Sequence, residues 1–212
     1  VPGRVSREIT DRRASATATP RERDGYNRRV SQSAAIAAVT VALKTLLEAA
    51  FKATGDRHLA DVLITSMPVD RARSVHHRCQ VNVTLATVQE NGALRNQPLG
   101  LRGGAGPTAT VAHAVDLTYL VTAYGPEDDE VAAQRVMGAA LSALHAQAVL
   151  PSIDLAQVFP HSGASGTLEG LKLTQATLAR EQIVAWWLAY HTPYRLSCAW
   201  QVTGVQLQTA AN

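Results

Sequence analysis

Two stretches of the sequence contain residue types that could bind a metal ion or a phosphate. His76, His77 and Cys79 are metal-ligand types, but a zinc site needs about four ligands, and no second pair with matching spacing occurs elsewhere. The glycine-rich stretch 100–106 resembles a phosphate-binding loop only in composition, because no Lys-Ser or Lys-Thr pair follows it. The sequence therefore predicts no metal site and no cofactor.

Ser162 and Ser165 invite comparison with an enzyme nucleophile. The surrounding HSGASG lacks the Gly-x-Ser-x-Gly elbow, and no strand-turn-helix pattern encloses it. His145 ends a predicted helix, where favourable interaction with the helix dipole explains it better than catalysis does. We therefore predict that the protein is not an enzyme and has no catalytic residue. A hydrolase of unknown type, resting on scattered His and Asp residues, is an alternative whose test is a pocket lined by two or more titratable groups.

Asp116 is a charged residue within an apolar strand pattern. A buried carboxylate costs several kcal/mol unless it is paired, so Asp116 either faces solvent or accepts hydrogen bonds from a basic group. Arg95 and Arg195 are the candidate partners. An acid-base role would need a second perturbed group in a cleft, and the sequence offers no obvious one, so a structural or interface role is favoured.

The segment from His113 to Leu150 contains Asp116 and His145. A strand pattern passes directly into a helix pattern there. Apolar residues at 115, 117, 119 and 121 alternate with polar ones, which is the period of a half-buried strand. After the Gly125-Pro126 break, apolar residues recur at three- to five-residue steps, as on one helix face. The acidic run 127–130 lies where the helix dipole favours negative charge.

The same patterns predict the other elements. A helix with a broad apolar face should begin near Val30 and end near Gly55, and a phase shift at Gly204 indicates a bulge in the last strand. Loops are expected at 91–109 and, with little pattern, at 151–166. The fold class is α+β, with a mostly antiparallel or mixed sheet packed by about three helices. The predicted helices are 30–53, 127–147 and 178–190, and the predicted strands are 62–65, 80–88, 112–124, 168–173 and 194–207.

Charge is unevenly distributed along the 212 residues. The formal net charge is +3, but residues 1–30 hold eight arginines against four acids, whereas residues 31–212 hold 12 basic and 13 acidic residues. The first 30 residues have few large apolar side chains, so we predict a flexible arginine-rich arm at 1–30 and one domain at 31–212. The arm raises an alternative function, nucleic-acid binding through phosphate contacts that weaken steeply as salt rises.

Other features indicate assembly in the cytoplasm. No stretch is expected to reach the roughly 18 to 20 apolar residues that span a bilayer, and the start of the chain lacks the order of a signal peptide. Cys79 and Cys198 are predicted to be core thiols rather than a disulfide. Trp186 and Trp187 point about 100° apart on a helix, so one can be core while the other reaches an edge or a neighbouring subunit.

Several motifs resemble one known family. They are DLTYLVTAYG at 116–125 with its acidic helix start, ALSALH at 140–145, Trp187 followed by TPYRLS at 192–197, and VNVTLATVQENGALRN at 81–96. In this order they resemble the cap, or tail-terminator, family of contractile injection systems and phage-tail-like particles, over roughly residues 33–208. The chain departs from the family where Thr118 replaces a more frequent His, in the glycine-rich loop, and in its basic extension.

The resemblance implies a structural function. Members of this family look like rings, with six subunits expected, that end the stacked inner tube and sheath and tie the two together. The implied partners are other copies of the chain, the inner tube protein and the sheath protein, without nucleic acid or membrane insertion. The implied location is a contractile particle, assembled in the cytoplasm, that is cytoplasmic, membrane-associated or released.

Such a function would reside in surfaces rather than in a catalytic site. We predict contributions from the acidic run, the loop around Arg95 and the C-terminal strand; the alternatives are a solvated helix end, a mobile loop and an ordinary sheet edge. Unpaired strand edges are the favoured contacts. The candidate interface residues are Asn91, Arg95, Asn96, Asp116, Glu127, Asp128, Asp129, Glu130, Trp187, Arg195 and Trp200.

Overall fold

A computed structural model describes residues 20–73, 77–94 and 112–208, with the side chains of 20–33, 112 and 208 left aside. The helices are α1 (Pro20–Ala53), α2 (Arg57–Ala60), α3 (Glu130–His145), α4 (Leu155–Val158) and α5 (Arg180–Ala189). The strands are β1 (Leu63–Thr65), β2 (Gln80–Glu90), β3 (Ala112–Tyr124), β4 (Ile153–Asp154), β5 (Thr167–Leu168), β6 (Lys172–Ala176) and β7 (Ser197–Gln208). A 3-10 turn, Pro126–Asp128, joins β3 to α3.

Strand β3 lies at the centre of a five-stranded sheet with the order β1-β2-β3-β7-β6. Strand β1 pairs with β2 in parallel, and the other neighbours are antiparallel. The expectation of an α+β fold with a mixed sheet is therefore confirmed. The bounds of β3 match the predicted strand, because its alternating apolar residues face the core on one side. Strands β4 and β5 form a separate two-stranded pair.

Helix α1 lies across one face of the sheet and ends at Ala53, two residues before Gly55, whose φ of 69° favours glycine. Its buried side chains form a stripe facing the sheet and α3: Ala35, Ala38, Val39, Leu43, Leu47 and Phe51. The segment Ala34–Ala53 is nevertheless long and apolar enough to cross a membrane, with a mean hydropathy of 1.7. The expectation that no stretch reaches this length was wrong, although a core helix passes the same criterion.

The opposite face of the sheet carries a buried polar cluster. The side-chain oxygen of Asn82 accepts hydrogen bonds from the Thr65 hydroxyl at 2.7 Å and from the Met67 amide at 2.8 Å. Its side-chain nitrogen donates to the carbonyl of Met67 at 2.9 Å and to the hydroxyl of Thr84 at 2.7 Å. Gln80 donates to Thr65 at 2.8 Å. These bonds fix the segment after β1 to the sheet, since a fully buried amide is stabilised only when its hydrogen bonds are made.

Several bounds differ from those predicted. Helix α1 begins at Pro20 rather than near Val30, so the last part of the predicted arm is helical, while residues 1–19 lie outside the described part. The helix expected from Glu127 begins at Glu130. The poorly patterned connector 151–166 contains β4 and α4, whose first turn is capped by Asp154. Only the turn 91–94 of the predicted loop 91–109 belongs to the described residues.

Candidate interaction surfaces

Asp116 joins three strands at one end of the sheet. Its Oδ1 accepts a hydrogen bond from the Asn91 side chain at 2.9 Å and one from the Gly204 amide at 3.2 Å. The pairing of β3 with β7 shifts register opposite Asp116, which is the bulge predicted at Gly204, and the φ of Gly204 is 85°. Two candidate residues, Asn91 and Asp116, are therefore brought together. Asp116 is half-buried, and its role here is to hold the bulge and the turn after β2.

Arg195 lies at the other end of the sheet and bridges two carboxylates of the acidic run. Its guanidinium nitrogens are 3.0 Å from Asp128 and 3.6 Å from Glu130. The expectation that Arg195 pairs with Asp116 was wrong, because Asp116 takes its hydrogen bonds from neutral donors at the far end of β3. Arg195 tethers the chain before β7 to the start of α3. Three further candidates, all exposed except the half-buried Arg195, thus share one surface.

The turn that presents the acidic run has unusual backbone geometry. Glu127 and Asp128 have φ values of 49° and 64°, in the left-handed region. Gly125 is also required, because a Cβ built there would lie 1.8 Å from the carbonyl oxygen of Asp129. Arg73 donates a hydrogen bond to the Gly125 carbonyl and lies over the ring of Tyr124. Sequence reasoning did not single out Arg73, since nothing local marks its contact with a turn so distant in the chain.

Two candidate tryptophans are core residues. Trp200 is 1% exposed, because its ring projects from the sheet into the core cluster and meets His145 at the end of α3 edge-on. Its strand, β7, is paired on both sides, by β3 and by β6. Trp187 is 4% exposed and packs with Leu120, while its indole donates a hydrogen bond to Ser197 at 3.3 Å. Neither ring is available at the surface of a single chain. Arg95 and Asn96 lie outside the described residues.

Helix α5 has a second apolar face that sequence reasoning missed. Val184 and Leu188 are one turn apart and point away from the core, with Leu188 70% exposed. The inner face, which includes Trp187, packs against the sheet. A helix that is apolar all round is ordinarily buried, so this outward face is a candidate contact surface. The four-residue spacing of Val184 and Leu188 was the available signal.

The groups with shifted pKa values show no arrangement for acid-base chemistry within the described residues. Burial raises the pKa of Tyr119 to about 12, and its hydrogen bond with Thr40 opposes this shift. Burial also raises the pKa of Tyr124 to about 12, and the charges of Arg195 and Arg73 oppose that shift. Burial also raises the pKa of Cys198 to about 11, so this thiol is protonated at neutral pH.

An open groove of about 510 Å³ lies between β6 and α5. Its lining residues are Gln175, Ala176, Thr177, Leu178, Ile183, Cys198 and Ala199. Cys198 is the single titratable group among them, which does not meet the two-group test for a hydrolase. The described part of the chain also contains no cluster of three or more His, Cys, Asp or Glu residues that could hold a metal ion.

The fold is similar to that of two solved structures from contractile particles. One is the sheath/tube terminator of an extracellular contractile injection system, PVC, in its extended state, with a TM-score of 0.50 and 17% identity over 81% of this chain and 57% of that one. The other is the tube-terminating cap of the anti-feeding prophage, with a TM-score of 0.51 and 18% identity over 82% of this chain and 55% of that one. The chain thus spans little more than half the length of either protein.

The comparison with protein families covers most of the sequence. No curated protein matches the chain. The Pvc16 N-terminal domain family matches residues 38–212, which include every described strand of the central sheet and both ends of β3. The match begins inside α1, after the arginine-rich stretch. On this match, the chain belongs to the Pvc16 N-terminal domain family.

Proposed function

We propose that this protein is a structural cap of a contractile injection system, which ends the growth of the inner tube and sheath and ties the sheath to the tube. The observation that carries the proposal is the family match over residues 38–212, supported by the fold shared with a sheath/tube terminator and a tube-terminating cap. The chain acts through surfaces and not as an enzyme. The arginine-arm alternative has no support among these matches.

A cap of this kind needs a closed ring. Head-to-tail contacts between identical subunits close when the rotation between neighbours divides a full turn, and six subunits are the expected number. One face of the ring contacts the last tube ring, and the rim contacts the sheath. The particle assembles in the cytoplasm, because tube, sheath and cap must meet during polymerisation.

Two exposed surfaces are the best placed for these contacts. One is the acidic end of the sheet, formed by residues 127–130 and the exposed Val131. The other is the outward face of α5, with Val184 and Leu188. Strand edges remain candidates, but β7 is internal where it pairs with β6. Among the described strands, the open edges lie on β1, on β2 beyond Asn82, on β6 beyond Leu173 and on β7 beyond Thr203.

The test is to assemble the cognate tube and sheath with and without this protein and to measure particle lengths by electron microscopy. We expect particles of restricted length that carry one ring at one end, and overlong or separated tubes and sheaths without the protein. An unchanged length distribution, with no ring bound at particle ends, would contradict the proposal.

The contribution of α5 is tested by Leu188→Glu, with Val41→Glu as the matched control, because Val41 is also an exposed apolar residue of a helix but lies on α1, on the other face of the sheet. Light scattering of each variant mixed with tube and sheath should show that the control binds the particles and that Leu188→Glu does not. The glutamate at 188 would have to be buried, unpaired, in the contact made by α5. Equal binding by the two variants would exclude α5 from the interface. The cap function would still be tested separately by the particle lengths.

A further inference from the structure

The turn between β3 and α3 has a backbone that its sequence disfavours. Pro126 followed by Glu127, Asp128 and Asp129 is a favourable helix start, since proline suits the first helical position and acids suit the first turn. In the structure, Glu127 and Asp128 instead take left-handed φ values of 49° and 64°, and α3 begins at Glu130. A local sequence preference that the fold overrides often marks a functional or strained segment.

Hydrogen bonds show what would change if the helix started earlier. The amide of Asp129 now donates to the carbonyl of Pro126 at 2.9 Å, and the Asp129 side chain caps α3 by accepting from the amides of Val131 and Ala132. The carbonyl of Gly125 accepts from Arg73. In a helix that begins at Pro126, the amide of Asp129 would donate to Gly125, four residues earlier. The carbonyl that the longer helix needs is therefore already hydrogen-bonded to Arg73, although a carbonyl oxygen can accept two such bonds.

Arg195 holds the same turn from its other side. Its contacts with Asp128 at 3.0 Å and Glu130 at 3.6 Å join the second left-handed residue to the first residue of α3. The Arg195 side chain is 30% exposed, but those of Asp128 and Glu130 are 63% and 57% exposed, so salt weakens these pairs. The turn is thus held by two arginines from distant parts of the chain, and by no apolar side chain of its own, since neither Glu127 nor Asp128 is buried.

Gly125 reports which conformation is present. A Cβ at this position would lie 1.8 Å from the carbonyl oxygen of Asp129 in the present turn. Because the clashing atom belongs to the backbone, the turn itself would have to change to relieve the contact. Gly125 is already extended, with φ −85° and ψ 161°, as a helix cap is, so the contact arises from the left-handed residues that bring the Asp129 carbonyl back towards it. An alanine at 125 therefore opposes the present turn and permits the longer helix.

We propose that residues 125–130 form a two-state conformational switch. In the kinked state, Arg73 and Arg195 hold Glu127 and Asp128 in left-handed conformations, and α3 begins at Glu130. In the helical state, both arginines release the turn and α3 begins at Pro126, which leaves the carboxylates of the first turn unpaired. Removal of the Arg195 contacts, by mutation or by another cation that takes its carboxylates, shifts the population towards the helical state.

The test is NMR of the full chain, reading the Cα shifts and the intraresidue amide-to-Hα contacts of Glu127 and Asp128, which distinguish positive from negative φ. We expect positive φ in the wild type and helical values in Arg195→Met and Gly125→Ala. We also expect amide protection at Glu130 to rise about tenfold in Arg195→Met, because its amide gains the Pro126 carbonyl. A salt titration of the wild type should move the same signals in the same direction.

The matched control is Arg135→Met, which removes an arginine of α3 that pairs with Asp56 rather than with the turn. Its Glu127 and Asp128 signals should remain those of the wild type. If Gly125→Ala does not fold, the φ values of Glu127 and Asp128 in Arg195→Met, measured at low and high salt, test the proposal on their own. Positive φ at Glu127 and Asp128 in Arg195→Met under both conditions would overturn the proposal, because the kink would then be intrinsic to the turn.

Discussion

The side-chain nitrogen of Asn91 lies 2.9 Å from Oδ1 of Asp116, so the turn after β2 is bonded to the middle strand of the sheet. The same oxygen accepts the amide of Gly204 in β7. Asn91 also accepts the amides of Ala93 and Leu94 through its own side-chain oxygen, at 3.1 Å each. One carboxylate oxygen and one amide side chain therefore connect β2, β3 and β7 where the register of the sheet changes.

Replacing Asp116 by alanine should destabilise the protein by about 1 to 3 kcal/mol, because the Gly204 amide and the Asn91 side chain both lose an acceptor. Chemical denaturation followed by tryptophan fluorescence measures the change. Asp116→Asn is the control, since it keeps one acceptor oxygen, and its loss should be smaller. Equal stability of Asp116→Ala and the wild type would show that water replaces these bonds.

Gly204→Ala should lower the free energy of unfolding by about 1 to 2 kcal/mol, because a residue with a Cβ pays for a φ of 85° even where space is open. The nearest atom to the added Cβ would be the Leu94 side chain, at 3.9 Å, so no clash contributes. Gly138→Ala, inside α3 and with nothing within 4 Å of its added Cβ, should raise stability by about 0.5 to 1 kcal/mol. Thermal unfolding of the two variants should therefore shift in opposite directions; shifts of the same sign would refute this account of the bulge.

Asn82→Ala should cost about 2 to 4 kcal/mol, because its side chain bonds to Thr65, Thr84 and both backbone groups of Met67 in a fully buried site. Urea unfolding gives the magnitude, and amide exchange at Met67 should quicken because its N–H loses its acceptor. Thr84→Val serves as the control, since it removes a hydroxyl of the same cluster but leaves the Met67 amide bonded. A loss for Asn82→Ala no greater than for Thr84→Val would contradict the central place of Asn82.

The stability of the protein should fall between pH 10 and about pH 12, in part through Tyr119. Its pKa is raised by burial, so in this window the unfolded chain loses a proton that the folded chain retains, and ionisation favours unfolding. The fall per tyrosine approaches about 1.4 kcal/mol per pH unit, and it is absent below pH 10 because Tyr119 is then neutral in both states.

Tyr119→Phe provides the check on this dependence. It should cost about 1 kcal/mol at neutral pH, because the 2.9 Å hydrogen bond between the Tyr119 and Thr40 hydroxyls is lost. Between pH 10 and 12 its free energy of unfolding should fall less steeply than that of the wild type, as measured by denaturation at several pH values. Parallel curves for the two proteins would exclude Tyr119 as a source of the alkaline loss.

Local patterns predicted the elements whose residues alternate strongly. The bounds of β3 and the bulge at Gly204 followed from apolar periodicity and its change of phase, which are properties of neighbouring residues. The start of α3 did not follow, because Arg73 and Arg195 act on this turn from distant parts of the chain. Capping preferences carry no information about such contacts.

Only those parts of the candidate surface that depend on neighbouring residues could be predicted from the sequence. The acidic run is exposed, as its composition indicated, and Asn91 meets Asp116. Trp200 was predicted to be an interface residue of the C-terminal strand, whereas its ring lies in the core and β6 pairs with β7 on the side away from β3. Strand order depends on long-range pairing, and alternation along one strand cannot reveal it.

The position of β7 between β3 and β6 sets the order of events during synthesis. Strand β7 is the last described element, yet it supplies the inner pairing of a sheet whose other strands are made earlier. As the nascent chain leaves the ribosome, β3 has an open side until residue 208 has emerged from the exit tunnel. Such non-local pairing slows folding and leaves unpaired strands exposed meanwhile. A chain stalled before β7 is therefore expected to need a chaperone, whereas a chain that has emerged past residue 208 closes its own sheet.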